Sequence, residues 1–148
     1  MRDHLRDDAR HDLAATGPDR AAEPLDVAVP ATTANATALR RRFRAWAEGV
    51  LPRPLAADLT LAVYEALANA VEHAFVTRGG AGTMHLVASV SDGDVEVTVA
   101  DDGEWRAPSG TGSRGQGTAL MHRLTTAAHV GTGPAGTTVR LTQRNPGW

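Results

Sequence analysis

The feature that most constrains the fold is a change of apolar period in mid-chain. Leu55, Leu59, Ala62, Val63, Ala66, Ala70, Ala74 and Phe75 recur at helical spacing, whereas Met84 to Val90 and Val95 to Asp101 alternate apolar with polar. Between the two alternating runs, Ser91-Asp92-Gly93-Asp94 reads as a hairpin turn. A long helix followed by an antiparallel hairpin needs a second layer to cover the sheet, and the helix supplies it.

The flanking sequence fits that scheme. Leu25 to Val29 alternates before Pro30, which suits an edge strand, and Thr33 or Asn35 can cap a helix running to about Gly49. That helix has Leu39, Phe43, Trp46 and Ala47 on one face and Arg40, Arg41, Arg42 and Arg44 mostly on others. Pro52 and Pro54 separate it from the long helix, and Gly79, Gly80 and Gly82 form the turn that comes next. Residues 103–117 read as a Gly-rich loop, Gly115 to about Ala128 as a third helix, Gly131 to Gly136 as a turn and Thr137 to Thr142 as a last strand. The order predicts an α/β (α+β) two-layer sandwich, with a mixed, mostly antiparallel sheet carrying its helices on one face, rather than a doubly wound parallel sheet.

Composition removes whole classes of chemistry. All 15 basic residues are arginine and there is no cysteine, which excludes a P-loop lysine, a Schiff base, a cysteine nucleophile and a thiolate metal site. The net charge of −2 gives no reason to expect direct nucleic-acid binding. Residues 1–22 mix Arg, Asp and His without periodicity and are expected to be a disordered tail, leaving 23–148 as a single domain. No apolar run has the length of a membrane span, and the charged start does not resemble a signal peptide, so a cytoplasmic protein is expected. No Asp or Glu follows Glu104.

Three groups of residues could carry chemistry. Glu65, Asn69 and His73 are four apart in E-A-L-A-N-A-V-E-H, so each projects about 40° round from the last on one side of the helix. They supply a carboxylate that can act as a base and an amide oxygen for a hard cation such as Mg²⁺, or else an ordinary solvated face. In the second alternating strand the period of two that runs through Val95, Val97 and Val99 continues to Asp101, so its carboxylate shares their face while Asp102 points away. Gly103 then admits a flat ligand near the backbone, or simply completes an Asp-Asp-Gly turn. Gly110, Gly112, Gly115 and Gly117 open a helix in a pattern able to hold phosphate on backbone N–H groups, with Arg114 inside it. A flexible linker is the alternative. The G-x-G-x-x-G spelling within it is not a dinucleotide fingerprint, because no acid follows for a ribose.

In their order and spacing these groups resemble the ATP-binding domain shared by gyrase-type topoisomerases, the large heat-shock chaperone, sensor histidine kinases and mismatch-repair ATPases, the Bergerat fold. Within that set the chain is most similar to the small anti-sigma factor serine kinases of bacteria, over roughly residues 25–143. The boxes that carry the likeness are Glu65, Asn69 and His73 on the helix; Asp101 and Gly103 at the strand end; and Gly115-Gln-Gly117-Thr-Ala-Leu120-Met121. Gly136-Thr137-Thr138-Val139 resembles the family's last-strand threonine motif.

The resemblance implies that Asn69 ligates the Mg²⁺ bridging the ATP phosphates, Asp101 accepts a hydrogen bond from the adenine amino group and Gly103 makes room for the base. It further implies that Gly115 and Gly117 wrap the phosphates, with Arg114 beside them, that His73 belongs to the nucleotide site, that Thr137 supports adenine through water, and that Glu65 is the general base. A sigma factor and a STAS-type anti-anti-sigma protein would be the partners, the latter phosphorylated on serine or threonine. Isolated domains of this kind also pair as homodimers through a sheet edge and the first helix. The chain departs from the pattern at Trp105, where D-x-G-x-G has its second glycine, and in the short Arg106 to Arg114 segment that leaves no long ATP lid. A non-catalytic ATP-dependent binding module of the same fold is the alternative.

Overall fold

A computed structural model of the protein describes residues 23–79, 82–102, 119–133 and 136–146. Its elements are β1 (Leu25–Pro30), α1 (Thr33–Glu48), α2 (Arg53–Arg78), β2 (Thr83–Ser91), β3 (Asp94–Asp101), a helical segment over 119–124 termed α3, β4 (Ala127–Gly133) and β5 (Gly136–Arg144).

Helix α1 is capped by Thr32, one residue before Thr33 and three before Asn35, the two expected caps, and the Thr32 hydroxyl accepts the Asn35 N–H at 3.1 Å. Asn35 contributes through its side chain, whose amide donates to the Pro30 carbonyl at 2.8 Å and fixes the exit from β1. The stripe Ala36, Leu39, Phe43 and Ala47 is buried, and Arg40, Arg41, Arg42 and Arg44 are exposed, as the helical spacing requires. Trp46 is half-buried and donates its indole N–H to the Glu23 carbonyl at 2.8 Å, tying the start of the described chain to α1.

Helix α2 follows Pro52, with Pro54 in its first turn where the missing N–H would have no intrahelical partner. It ends at Gly79 in the left-handed conformation, φ 62°. Ala56, Leu59, Ala62, Val63, Ala66, Leu67, Ala70 and Ala74 form its buried side. The alanines keep the helix axis close to the sheet, and larger side chains at those positions would hold it off. Two members of the expected apolar set depart from it: Leu55 is only half-buried, and Phe75 is 73 % exposed because it falls just past the edge of the stripe that Ala74 occupies.

The sheet order is β1-β2-β3-β5-β4 with every neighbouring pair antiparallel, so the mixed component expected of the sheet has no counterpart among the described residues. β1 is an edge strand as its sequence suggests. Asp92 and Gly93 both have positive φ, 53° and 83°, in the two-residue turn that matches the twist of β2 and β3. Helix α2 packs on β2, β3 and β5, and α1 reaches β1 and α2. The core between the layers holds Phe43, Leu59, Leu67, Met84, Leu86, Val97, Met121 and Leu141. The opposite sheet face carries the exposed His85, Glu96 and Arg140.

The C-terminal third departs from the sequence-based expectation. Ala127 and Ala128, expected at the end of the third helix, begin strand β4, and Gly131 and Gly133, expected in a turn, are paired strand residues opposite Thr138 and Gly136. The Thr125 hydroxyl donates to the Met121 carbonyl at 2.7 Å and competes with continuation of α3, while the ladder to β5 captures residues 127–133. β5 is longer than expected, running to Arg144. Asn145 then donates its side-chain amide to the Val50 carbonyl at 3.1 Å, joining the end of the sheet to the α1–α2 connection.

Candidate functional site

The site lies where the C-terminal half of α2 passes over the end of β3 and the start of β5. Glu65 and Asn69 are half-buried and His73 is 5 % exposed, so the three polar residues of one helix side run inward toward the sheet. His73 Nδ1 lies 3.4 Å from Asp101 Oδ2, with the two side chains 6 % and 7 % exposed. With its proton on Nδ1 the imidazole donates to that oxygen and orients the carboxylate. Asp101 thus occupies the interlayer side of β3, on the same face as the buried Val95, Val97 and Val99, as its phase in the strand requires.

Asp102 serves a different purpose. Its Oδ1 accepts the Thr83 N–H at 2.8 Å, and its own N–H donates to the Thr83 carbonyl at 3.3 Å. The carboxylate therefore clasps the end of β3 to the start of β2, continuing the pairing past the last residues of the ladder. The sequence distinguishes the two acids by phase but does not reveal this partner, since Thr83 is brought alongside only by the hairpin register.

Directly across the ladder from Asp101 is Thr137, 4 % exposed, and its hydroxyl is buried without a hydrogen-bond partner among the described residues. Unpartnered buried hydroxyls are uncommon because desolvation goes uncompensated, and a ligand or ordered water is the usual reason for one. The adjoining Gly136 has φ 140°, and a Cβ built on it would stand 1.8 Å from the Asp101 carbonyl oxygen. Glycine is therefore obligatory there, and the absent side chain is what lets the β5 entry lie against the backbone bearing Asp101. By sequence Gly136 is only a turn residue, and no local signal marks this approach.

The structure thus brings Asp101, His73 and Thr137 to one place and aligns Glu65 and Asn69 along the helix leading to it. Gly103, Arg114, Gly115 and Gly117, together with Trp105, lie outside the described residues. Met121, at the end of the glycine box, is buried in the core. Among the described residues no group of three or more His, Asp or Glu could hold a metal ion. A buried carboxylate acceptor beside an unsatisfied hydroxyl suits an amino-bearing heterocycle and a water. A lone amide donor such as Asn69 suits Mg²⁺ that takes its other oxygens from phosphates and water. No described helix is long and apolar enough to cross a membrane.

Residues 29–143 match the family model of the histidine kinase-like ATPase domain. Among solved structures, the chain is similar to the RsbU and RsbW domains of Rv1364c from Mycobacterium tuberculosis, with 32 % identity and a TM-score of 0.68 over 83 % of this chain. The match spans 32 % of that larger chain.

Proposed function

The chain belongs to the histidine kinase-like ATPase domain family, and on that basis we propose that it is an anti-sigma regulator that binds Mg·ATP, sequesters a sigma factor and phosphorylates a serine or threonine of a STAS-type anti-anti-sigma partner in the cytoplasm. The observation that carries the nucleotide part is the pairing of a buried carboxylate, Asp101, with the unsatisfied Thr137 hydroxyl across the β3–β5 ladder. Similarity to a chain that contains an RsbW domain supports the regulatory part.

In this reading Asp101 accepts from the exocyclic amino group of adenine, held in place by His73, and Thr137 completes its hydrogen bonding through a water beside the base. Gly103 leaves room for the ring. Asn69 holds the Mg²⁺, and Gly115, Gly117 and Arg114 take the phosphates. Bound Mg·ATP supplies an electrophilic γ-phosphoryl group whose charge the cation offsets. Glu65 lies one helical turn before Asn69 and takes the proton of the acceptor hydroxyl as that oxygen joins the γ-phosphorus, the β–γ bridge breaks and ADP departs. The edge strand β1 with α1 supplies a homodimer contact.

Incubating the protein with γ-labelled ATP, Mg²⁺ and candidate STAS-type acceptors tests this. Label should pass to serine or threonine with wild type and not with Glu65→Gln, which should still bind ATP. The departure at Trp105 favours one second reading, a binding module that holds its partner only when nucleotide is present. Such a module would leave every acceptor unlabelled.

A further inference from the structure

The two edges of the sheet are not alike. β1 carries Asp26 and also Pro30, which has no N–H to offer, and α1 packs beside it. β4 runs for 7 residues as A-A-H-V-G-T-G, without proline, Arg, Asp or Glu, and no strand lies beyond it among the described residues. Its ladder to β5 is continuous from Ala127 to Gly133, so no bulge twists the edge away. Every second residue of an edge strand turns its N–H and C=O outward in the plane of the sheet, where water or another strand must satisfy them. Charge, proline and bulges are the usual means of blocking such an edge, and β4 has none of them.

Its side chains are left incomplete as well. Ala128, Val130 and Thr132 lie on the interlayer side, opposite Leu141, Val139 and Thr137, yet no residue of β4 is buried. Helix α2 packs on β2, β3 and β5, and Ala128 and Val130 meet the core only from its margin.

The strand that completes this edge is legible in β4 itself. Val130 is its middle residue, so antiparallel pairing of two copies about a two-fold axis at Val130 is the register that engages all 7 residues of both. It sets Val130 against Val130 and Ala128 against Thr132 on the interlayer side, and His129 against Gly131 on the other. Gly131 has room for this, since a Cβ built on it meets only the Thr138 carbonyl oxygen, at 3.9 Å. The imidazole then covers backbone that the glycine leaves bare. A register shifted by one residue would set Val130 against His129 and put the helices of the two copies on opposite faces.

We propose that the β4 edge is a pairing surface for β4 of a second copy, joining two five-stranded sheets into one continuous sheet with the helices of both on one face. The contact lies at the edge opposite β1 and leaves α1 uninvolved, so it is separate from the homodimer contact proposed above. It needs no nucleotide, and failure of the nucleotide assignment would leave it untouched.

The chain has no cysteine, so one introduced thiol reports its own neighbour. In the full chain under copper–phenanthroline oxidation, Val130→Cys should form a disulfide-linked dimer at least about tenfold faster than Ser91→Cys in the exposed β2–β3 turn, which gives the collisional background. Ala128→Cys and Thr132→Cys should link to each other when mixed and neither to itself above that background. His129→Glu faces Arg140 within its own sheet, which keeps the variant folded, but it brings two like charges near the axis. In that background Val130→Cys should link several-fold more slowly at low salt and recover at high salt. A Val130→Cys rate no higher than that of Ser91→Cys would overturn the proposal. So would self-linking of Ala128→Cys as fast as that of Val130→Cys, or slow hydrogen exchange of every β4 amide in the dilute monomer, which would give the edge an occupant from its own chain.

Discussion

Gly136 stands against the backbone of Asp101 so closely that a Cβ at residue 136 would lie 1.8 Å from the Asp101 carbonyl oxygen, with φ 140° making any side chain strained as well. Two strand ends far apart in sequence are thereby held at one distance, and the Asp101 carboxylate and Thr137 hydroxyl inherit their relation from it. Gly136→Ala should destabilise the fold by about 2–4 kcal/mol, the range of a forced backbone shift at a special φ. Urea denaturation followed by circular dichroism measures this. An unchanged midpoint would show that the approach is not required.

Thr137→Val separates a structural hydroxyl from a ligand-facing one. The Oγ1 atom is buried with no hydrogen-bond partner among the described residues, so an apolar replacement of similar shape should leave the free protein as stable or more stable by about 1 kcal/mol. ATP affinity should fall several-fold in the same variant. A variant that loses stability and keeps its affinity would assign the hydroxyl to the fold.

Asp101 and Asp102 should respond in opposite ways to the same change. Asp102→Asn weakens the clasp on the Thr83 N–H and should cost about 1 kcal/mol of stability with little change in ATP binding. Thermal unfolding paired with ATP titration reads both. A large affinity loss in Asp102→Asn with unchanged stability would reverse the two roles.

The same residues separate what local sequence encodes from what packing decides. The long helix and the β2–β3 hairpin are strongly periodic, and the alternation through Val95, Val97 and Val99 is enough by itself to place Asp101 on the inner face. β4 is not legible, because A-A-H-V-G-T-G has no alternation and its alanines favour helix; it is a strand because β5 pairs with it. Phe75 fits the helical spacing but lies just beyond the buried stripe, a matter of where the sheet edge falls. Within the site, helix spacing gives the common side of Glu65, Asn69 and His73. The His73–Asp101 contact, the Thr137 position and the Gly136 approach depend on strand register and layer packing, which local sequence does not encode.

Recognition of the exocyclic amino group of adenine by the Asp101 carboxylate is the interaction on which the nucleotide site stands or falls, and titration of ATP and GTP into wild type and Asp101→Asn, with Mg²⁺, measures it. Wild type should bind ATP and strongly disfavour GTP, which presents a carbonyl in place of that amino group, and Asp101→Asn should bind ATP at least about tenfold more weakly with its fold intact. Equal ATP affinity in the two proteins, or equal affinity of wild type for ATP and GTP, would contradict the assignment of Asp101 to adenine.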